Sequence, residues 1–195
     1  MLLAAVALAF LLPGAAPARE GRWTVYKDCQ LQENPSNDGD SFHVKTARYK
    51  YLFRLYFADC PETSRQVPER VKEQAAHFGV PEDTVLKAGK RAREFTRQFL
   101  ARGFTVSTKK EDARGASRVR RYYAVVEAGG KDLAEELVAH GLARAYGEGT
   151  NLPDGGDEHR WRGKLARAEK SARAQHLGIW RNDREPAEPK AGGEP

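Results

Sequence analysis

Apolar and polar residues alternate loosely over GRWTVYKDCQLQ at 21–32, the period of two expected of a strand with one buried face. The turn-rich ENPSNDGD at 33–40 interrupts that pattern, and alternation resumes in SFHVKT at 41–46 and YKYLFRLYFAD at 49–59. Strands joined in this way pair antiparallel. Taken as one continuous strand, the last run places Arg54, Tyr56 and Ala58 on one face and Phe53, Leu55 and Phe57 on the other.

The period lengthens beyond Val67. In VPERVKEQAAHFG, Pro68 suits a first helical position, Val71, Ala75 and Phe78 recur at helical spacing, and Gly79 can stop the helix. PEDTVLKAGKRAREFTRQFLARG repeats the pattern with Val85, Ala88, Ala92, Phe95 and Phe99 along one side and Gly103 as its stop. FTVST at 104–108 and RYYAVVEA at 121–128 read as strands joined by a charged connection. The turn GGKD precedes a helix in LAEELVAHGLA, with Asp132 as N-cap and Glu135 as its capping-box partner. A last helix around 158–176 aligns Trp161, Leu165, Ala168 and Ala172, and its other faces carry Arg160, Arg162, Lys164, Arg167, Lys170 and Arg173, read as a solvated surface. Strands, helices, strands and helices again specify an α+β domain.

The ends of the chain differ in composition. MLLAAVALAFLLPGAAPARE is apolar and then small, with Ala16-Pro17-Ala18 resembling a cleavage site, so residues 1–18 are expected to be a signal peptide and the protein secreted or periplasmic. The run is shorter than the ~20 residues a membrane span requires, and no Lys or Arg precedes it. The expected domain occupies 22–181. Residues 182–195, polar and rich in Pro and Gly, are expected to be a disordered tail. Lys and Arg together number 33 against 27 acids, a balance that suits a polyanionic partner without requiring one. The two cysteines, Cys29 and Cys60, leave two readings: a disulfide appropriate to an exported chain, or a pair of buried thiols.

Chemistry concentrates around two strand ends. Asp38 and Asp40 flank a glycine at the mouth of one strand, and Asp59 and Glu62 lie just beyond the end of the next. Paired strands would bring three or four carboxylates together, and crowded carboxylates repel unless a cation sits among them. No His/Cys cluster has zinc spacing, so a hard, oxygen-seeking cation is the better match. Asp-Gly-Asp by itself reads as a hairpin turn, and the metal reading gains from the addition of Asp59 and Glu62. Arg54, inside an apolar strand, requires a partner: the nearby acids, or a phosphate gripped bidentately. Arg121 opens its strand in a similar way. Together the set describes phosphoryl chemistry, with a metal and two arginines on a phosphate and a carboxylate free to deprotonate water.

DGDS, FRLYFADCPET, RRYYAVV, LVAHGLARA and HLGIW, in this order, resemble the staphylococcal nuclease (thermonuclease) family over roughly residues 22–181. The resemblance implies an OB-fold, a five-stranded β-barrel with three helices, to which this chain adds an inserted helix. It also implies Ca²⁺-dependent endonuclease hydrolysis of single- and double-stranded DNA and of RNA, leaving 3′-phosphates, by a monomer. By motif position Asp40, Asp59 and the backbone carbonyl of Cys60 are the implied metal ligands, Glu62 the general base, and Arg54 and Arg121 the catalytic phosphate clamps. Asp38 is at most a supporting neighbour. Tyr122, Tyr123 and Tyr146 fall near the family's substrate contacts, where packing competes with base stacking.

Three departures stand out. Ser41 and Cys60 replace threonines, and 64–90 is longer than the usual connection, either narrowing the cleft or contacting a partner. The alternatives to an enzyme are an inactive nucleic-acid or protein-binding module on the same fold and a secreted domain whose acids merely bind calcium.

Overall fold

The computed structural model describes residues 21–115 and 119–181; the expected leader and tail lie outside them. Five strands close into a barrel: β1 (Thr24–Leu31), β2 (Ser41–Lys45), β3 (Lys50–Leu55), β5 (Phe104–Thr108) and β6 (Tyr122–Ala128). The first strand pairs antiparallel with both β2 and β5, β2 with β3, and β5 with β6. The barrel is sealed by a parallel pairing of β3 with β6, in which Phe53, Arg54 and Leu55 face Tyr122, Tyr123 and Ala124. Short strands β4 (Ala58–Asp59), β7 (Lys131–Asp132) and β8 (Arg144–Ala145) complete the sheets. Among the described residues four α-helices accompany them: α1 (Pro68–Phe78), α2 (Glu82–Phe99), α3 (Leu133–Ala139) and α4 (Glu158–Ala174). The architecture is α+β, a closed mixed barrel in keeping with the expected OB-fold.

The alternation of the sequence accounts for the barrel's interior. Phe42 and Val44 of β2, Phe53 and Leu55 of β3, Phe104 and Val106 of β5, and Ala124 and Val126 of β6 are all buried there. Leu133, Leu137 and Val138 of α3 cover the same core. Each large side chain so buried contributes about 1.5–3 kcal/mol. Helix boundaries follow their local signals. Pro68 starts α1, Gly79 ends it in the left-handed conformation with its N–H on the Ala75 carbonyl, and the Asp132 side chain accepts the Glu135 N–H at the start of α3.

The run 49–59 is not one strand. It breaks after Leu55, where Phe57 takes a φ of 66°. Tertiary bonds hold the break: the Phe57 N–H reaches the Glu148 carbonyl at 2.8 Å, and the Tyr146 N–H reaches the Phe57 carbonyl at 2.9 Å. The expected facing therefore fails beyond Leu55, and Tyr56, Phe57 and Ala58 are all buried. Beyond the break β4 pairs with β8, which brings Asp59 opposite Arg144.

The inserted helix α1 packs as part of the fold. Val71 and Phe78 share a buried cluster with Val85 and Ala88 of α2, Ala172 of α4, and Ile179 and Trp180. Among the described residues no helix is long and apolar enough to cross a membrane.

Candidate functional site

Asp38 shapes the loop that delivers Asp40. Its Oδ1 accepts the backbone N–H groups of Asp40 and Ser41 at 3.0 and 2.6 Å, an Asx turn at the mouth of β2. Burial, and then the neighbouring Asp40, push the Asp38 carboxyl well above the ordinary range. Register then sets Ser41 opposite Arg54. The Leu55 N–H bonds to the Asp40 carbonyl, and the Cys60 N–H to Asp40 Oδ2 at 2.7 Å, so the two strand ends are knitted together.

Asp40 and Asp59 are buried, and one nitrogen bridges them: Arg54 Nη2 lies 2.7 Å from Asp59 Oδ1 and 3.4 Å from Asp40 Oδ2. Asp40, followed by Asp59, raises the Arg54 guanidinium above its ordinary value against the effect of burial. Asp59 receives more. Arg70 Nη2 is 2.8 Å from Oδ1, and Arg144 lies at 2.9 Å and Gln74 Nε2 at 3.2 Å from Oδ2. Burial works to raise the Asp59 pKa, but Arg70, Arg54 and Arg144 outweigh it and hold the carboxyl below its usual value.

Arg121 has different surroundings. Its Nε donates to the Ala113 carbonyl at 2.9 Å and its Nη1 to Ser41 Oγ at 3.2 Å, and Ser41 Oγ donates in turn to Asp40 Oδ1 at 2.9 Å. Among the described residues both of its acceptors are neutral. Burial and then Arg54 press its guanidinium below the ordinary value. A half-buried cation hydrogen-bonded only to neutral groups is a ready partner for an oxyanion.

Glu62 is partly exposed, and its Oε1 accepts Arg70 Nε at 2.6 Å. The turn that carries it rests on α2 at Gly89, where an added Cβ would run into the backbone carbonyls of Pro61 and Glu62. Cys29 and Cys60 are free buried thiols, so no disulfide ties the site to β1; burial drives the Cys60 thiol well above its ordinary value.

The six residues singled out from the sequence thus come together: Asp40, Arg54, Asp59, Cys60, Glu62 and Arg121 are linked through direct contacts, Ser41 and Arg70. Four others escaped sequence reasoning. Arg70, Glu73 and Gln74 have the i, i+3, i+4 spacing that gathers side chains on one helix face, a signal that went unread. Arg144 lies in the LVAHGLARA motif, but its two-residue strand carries no periodicity that would mark it as a site residue. The tyrosines diverge. Tyr123 stacks on Tyr56 at 5.0 Å, Tyr122 meets Tyr51 edge-on at 6.2 Å, and Tyr146 is exposed with the Arg144 guanidinium 4.2 Å above its ring.

The oxygen chemistry fits a hard divalent cation. Two buried carboxylates already share one cationic group, and the Cys60 carbonyl lies in the same turn. Among the described residues no three acidic, His or Cys side chains group around one point, so the aspartates and that carbonyl would bind together with water. Those oxygens are engaged by arginine, Gln74 and the Cys60 N–H, some of which a cation would displace.

The family model described as staphylococcal nuclease homologue matches residues 52–182. No curated protein matches the chain.

Proposed function

The chain belongs to the staphylococcal nuclease family, and on that premise we propose that it is a calcium-dependent endonuclease hydrolysing DNA and RNA phosphodiesters to 3′-phosphate products. The observation that carries the proposal is Arg121: a half-buried guanidinium whose acceptors among the described residues are neutral, joined through Ser41 to the Asp40–Arg54–Asp59 cluster. Nuclease action outside the cytoplasm is part of the same reading and rests on the apolar leader and its small-residue cleavage site.

The residues divide the work as follows. Arg121 and Arg54 grip the non-bridging oxygens of the phosphate and stabilise the charge that builds there. Glu62 accepts the proton of a water whose oxygen forms the new bond to phosphorus, while the bond to the 5′-oxygen breaks and that oxygen takes a proton from solvent. Calcium, held by Asp40, Asp59 and the Cys60 carbonyl, would supply further neutralisation of the phosphate. Arg144 and Gln74 keep the Asp59–Glu62 turn in place.

One observation favours a second reading, a binding module without chemistry: each oxygen of Asp59 already faces the donors of two side chains, Arg54 and Arg70 at Oδ1 and Gln74 and Arg144 at Oδ2. Single- and double-stranded DNA and RNA, each incubated with the protein in calcium and in EDTA, separate the two. Calcium-dependent release of 3′-phosphate ends supports the nuclease. Retention of nucleic acid in EDTA without cleavage in calcium supports the module.

A further inference from the structure

The inserted helix α1 turns two kinds of surface in two directions. Val71 and Phe78 are sunk in the cluster built with Val85, Ala88 and Trp180, where the Phe78 and Trp180 rings meet edge-on at 5.5 Å. Arg70, Glu73 and Gln74 project to the catalytic turn. Gln74 is fully buried, and its amide bridges that turn: Oε1 accepts the Glu62 N–H at 2.8 Å, and Nε2 donates to the Cys60 carbonyl at 2.9 Å. Glu73 grips Arg144 with both oxygens, at 2.5 and 2.9 Å. A helix anchored by a buried apolar cluster and a buried amide is a fixed wall of the site, since lifting it would expose that cluster and orphan the Gln74 amide.

Arg70 extends from this wall with its guanidinium laid across two carboxylates. Nε holds Glu62 Oε1 at 2.6 Å and Nη2 holds Asp59 Oδ1 at 2.8 Å. Resting on the nuclease reading, we propose that Arg70 is a positioning residue for the reaction: it fixes the rotamer of Glu62 through Oε1 and leaves Oε2 as the oxygen that meets water. A glutamate on a partly exposed turn otherwise samples several rotamers, at an entropic cost to restrain. Arg70 meets that cost in advance of substrate binding, and its side-on pair of N–H donors fits the task in a way that a lysine point charge does not. The segment 64–90 therefore completes the site.

Single-turnover rates and KM for single-stranded DNA in calcium test this in wild type, Arg70→Ala, Arg70→Lys, Glu62→Gln and the Arg70→Ala/Glu62→Gln double variant. Tryptophan emission, to which Trp180 packed on Phe78 contributes, together with the urea midpoint, verifies that α1 stays docked in each. The expected result is a fall in rate of roughly tenfold or more in Arg70→Ala with KM within about twofold, partial recovery in Arg70→Lys, and no further loss on adding Arg70→Ala to Glu62→Gln. A faster Arg70→Ala would make Arg70 an inhibitory plug, and equal losses in both backgrounds would make it a phosphate contact; either overturns the proposal. Unchanged rates in Arg70→Ala refute this role alone, whereas a wild type without calcium-dependent cleavage refutes the nuclease reading and this role together.

Discussion

Arg144 secures Asp59 from 85 positions further along the chain, with Nε 3.0 Å and Nη2 2.9 Å from the same oxygen, Asp59 Oδ2. Both residues are almost wholly buried, and Glu73 takes the outer edge of the same guanidinium. The barrel, α1 and the β8 strand therefore meet in one charge network beneath the Asp59–Glu62 turn.

Removing Arg144 leaves a buried carboxylate short of its partner. Arg144→Met, which keeps length and loses charge, is expected to destabilise the fold by about 3 kcal/mol in urea unfolding, the scale for breaking a buried pair. Arg54 and Arg70 still face Asp59 in that variant, so the fold should survive at neutral pH. A loss below ~0.5 kcal/mol would mean that the network adds little to stability.

Gly89 offers a test of sign. An Ala substituted for Gly inside a helix normally stabilises by about 0.5–1 kcal/mol. At Gly89 the new Cβ would overlap the Pro61 and Glu62 carbonyls, so Gly89→Ala is expected to lower both the melting temperature and the cleavage rate by displacing the turn that carries Glu62. A rise in melting temperature with unchanged activity would show that the turn does not rest against α2.

Asp132 governs a pH response away from the site. Burial, with Glu127 and Glu135 adding to it, pushes its carboxyl up to about 7. The unfolded chain binds that proton only near pH ~4, so between about pH 4 and 7 the folded state holds more protons and stability from this residue falls as pH rises. Asp132→Asn keeps an N-cap acceptor for the Glu135 N–H. The stability of wild type relative to this variant should therefore decline across that window, as measured by urea midpoints at several pH values. A constant difference would place the Asp132 carboxyl at an ordinary pKa.

The barrel was legible because its strands keep period two and its helices carry local stop signals such as Gly79. The break at Phe57 was not, since a positive φ on a phenylalanine is imposed by Glu148 and Tyr146, remote in the chain. The clustered acids and Arg54 could be found because their motif is contiguous around two strand ends, and Arg121 because it opens a strand after a basic stretch. The spacing of Arg70 and Gln74 gathers them on one helix face without marking them as site residues: a polar helix face looks solvated until the apolar face opposite it is seen docked on Trp180. Whether Cys29 and Cys60 were bridged or free also depended on geometry, and the structure leaves them free.

In the proposed reaction Glu62 is the base of a calcium-dependent hydrolysis. Its most direct measurement is the single-turnover cleavage rate of single-stranded DNA by wild type and Glu62→Gln in calcium, with far-UV circular dichroism confirming that both are folded. The amide keeps an oxygen for Arg70 and loses the ability to accept a proton at neutral pH. The wild type is expected to cleave and the variant to be at least about a hundredfold slower, the scale of general-base catalysis. Equal rates in the two folded proteins would contradict it.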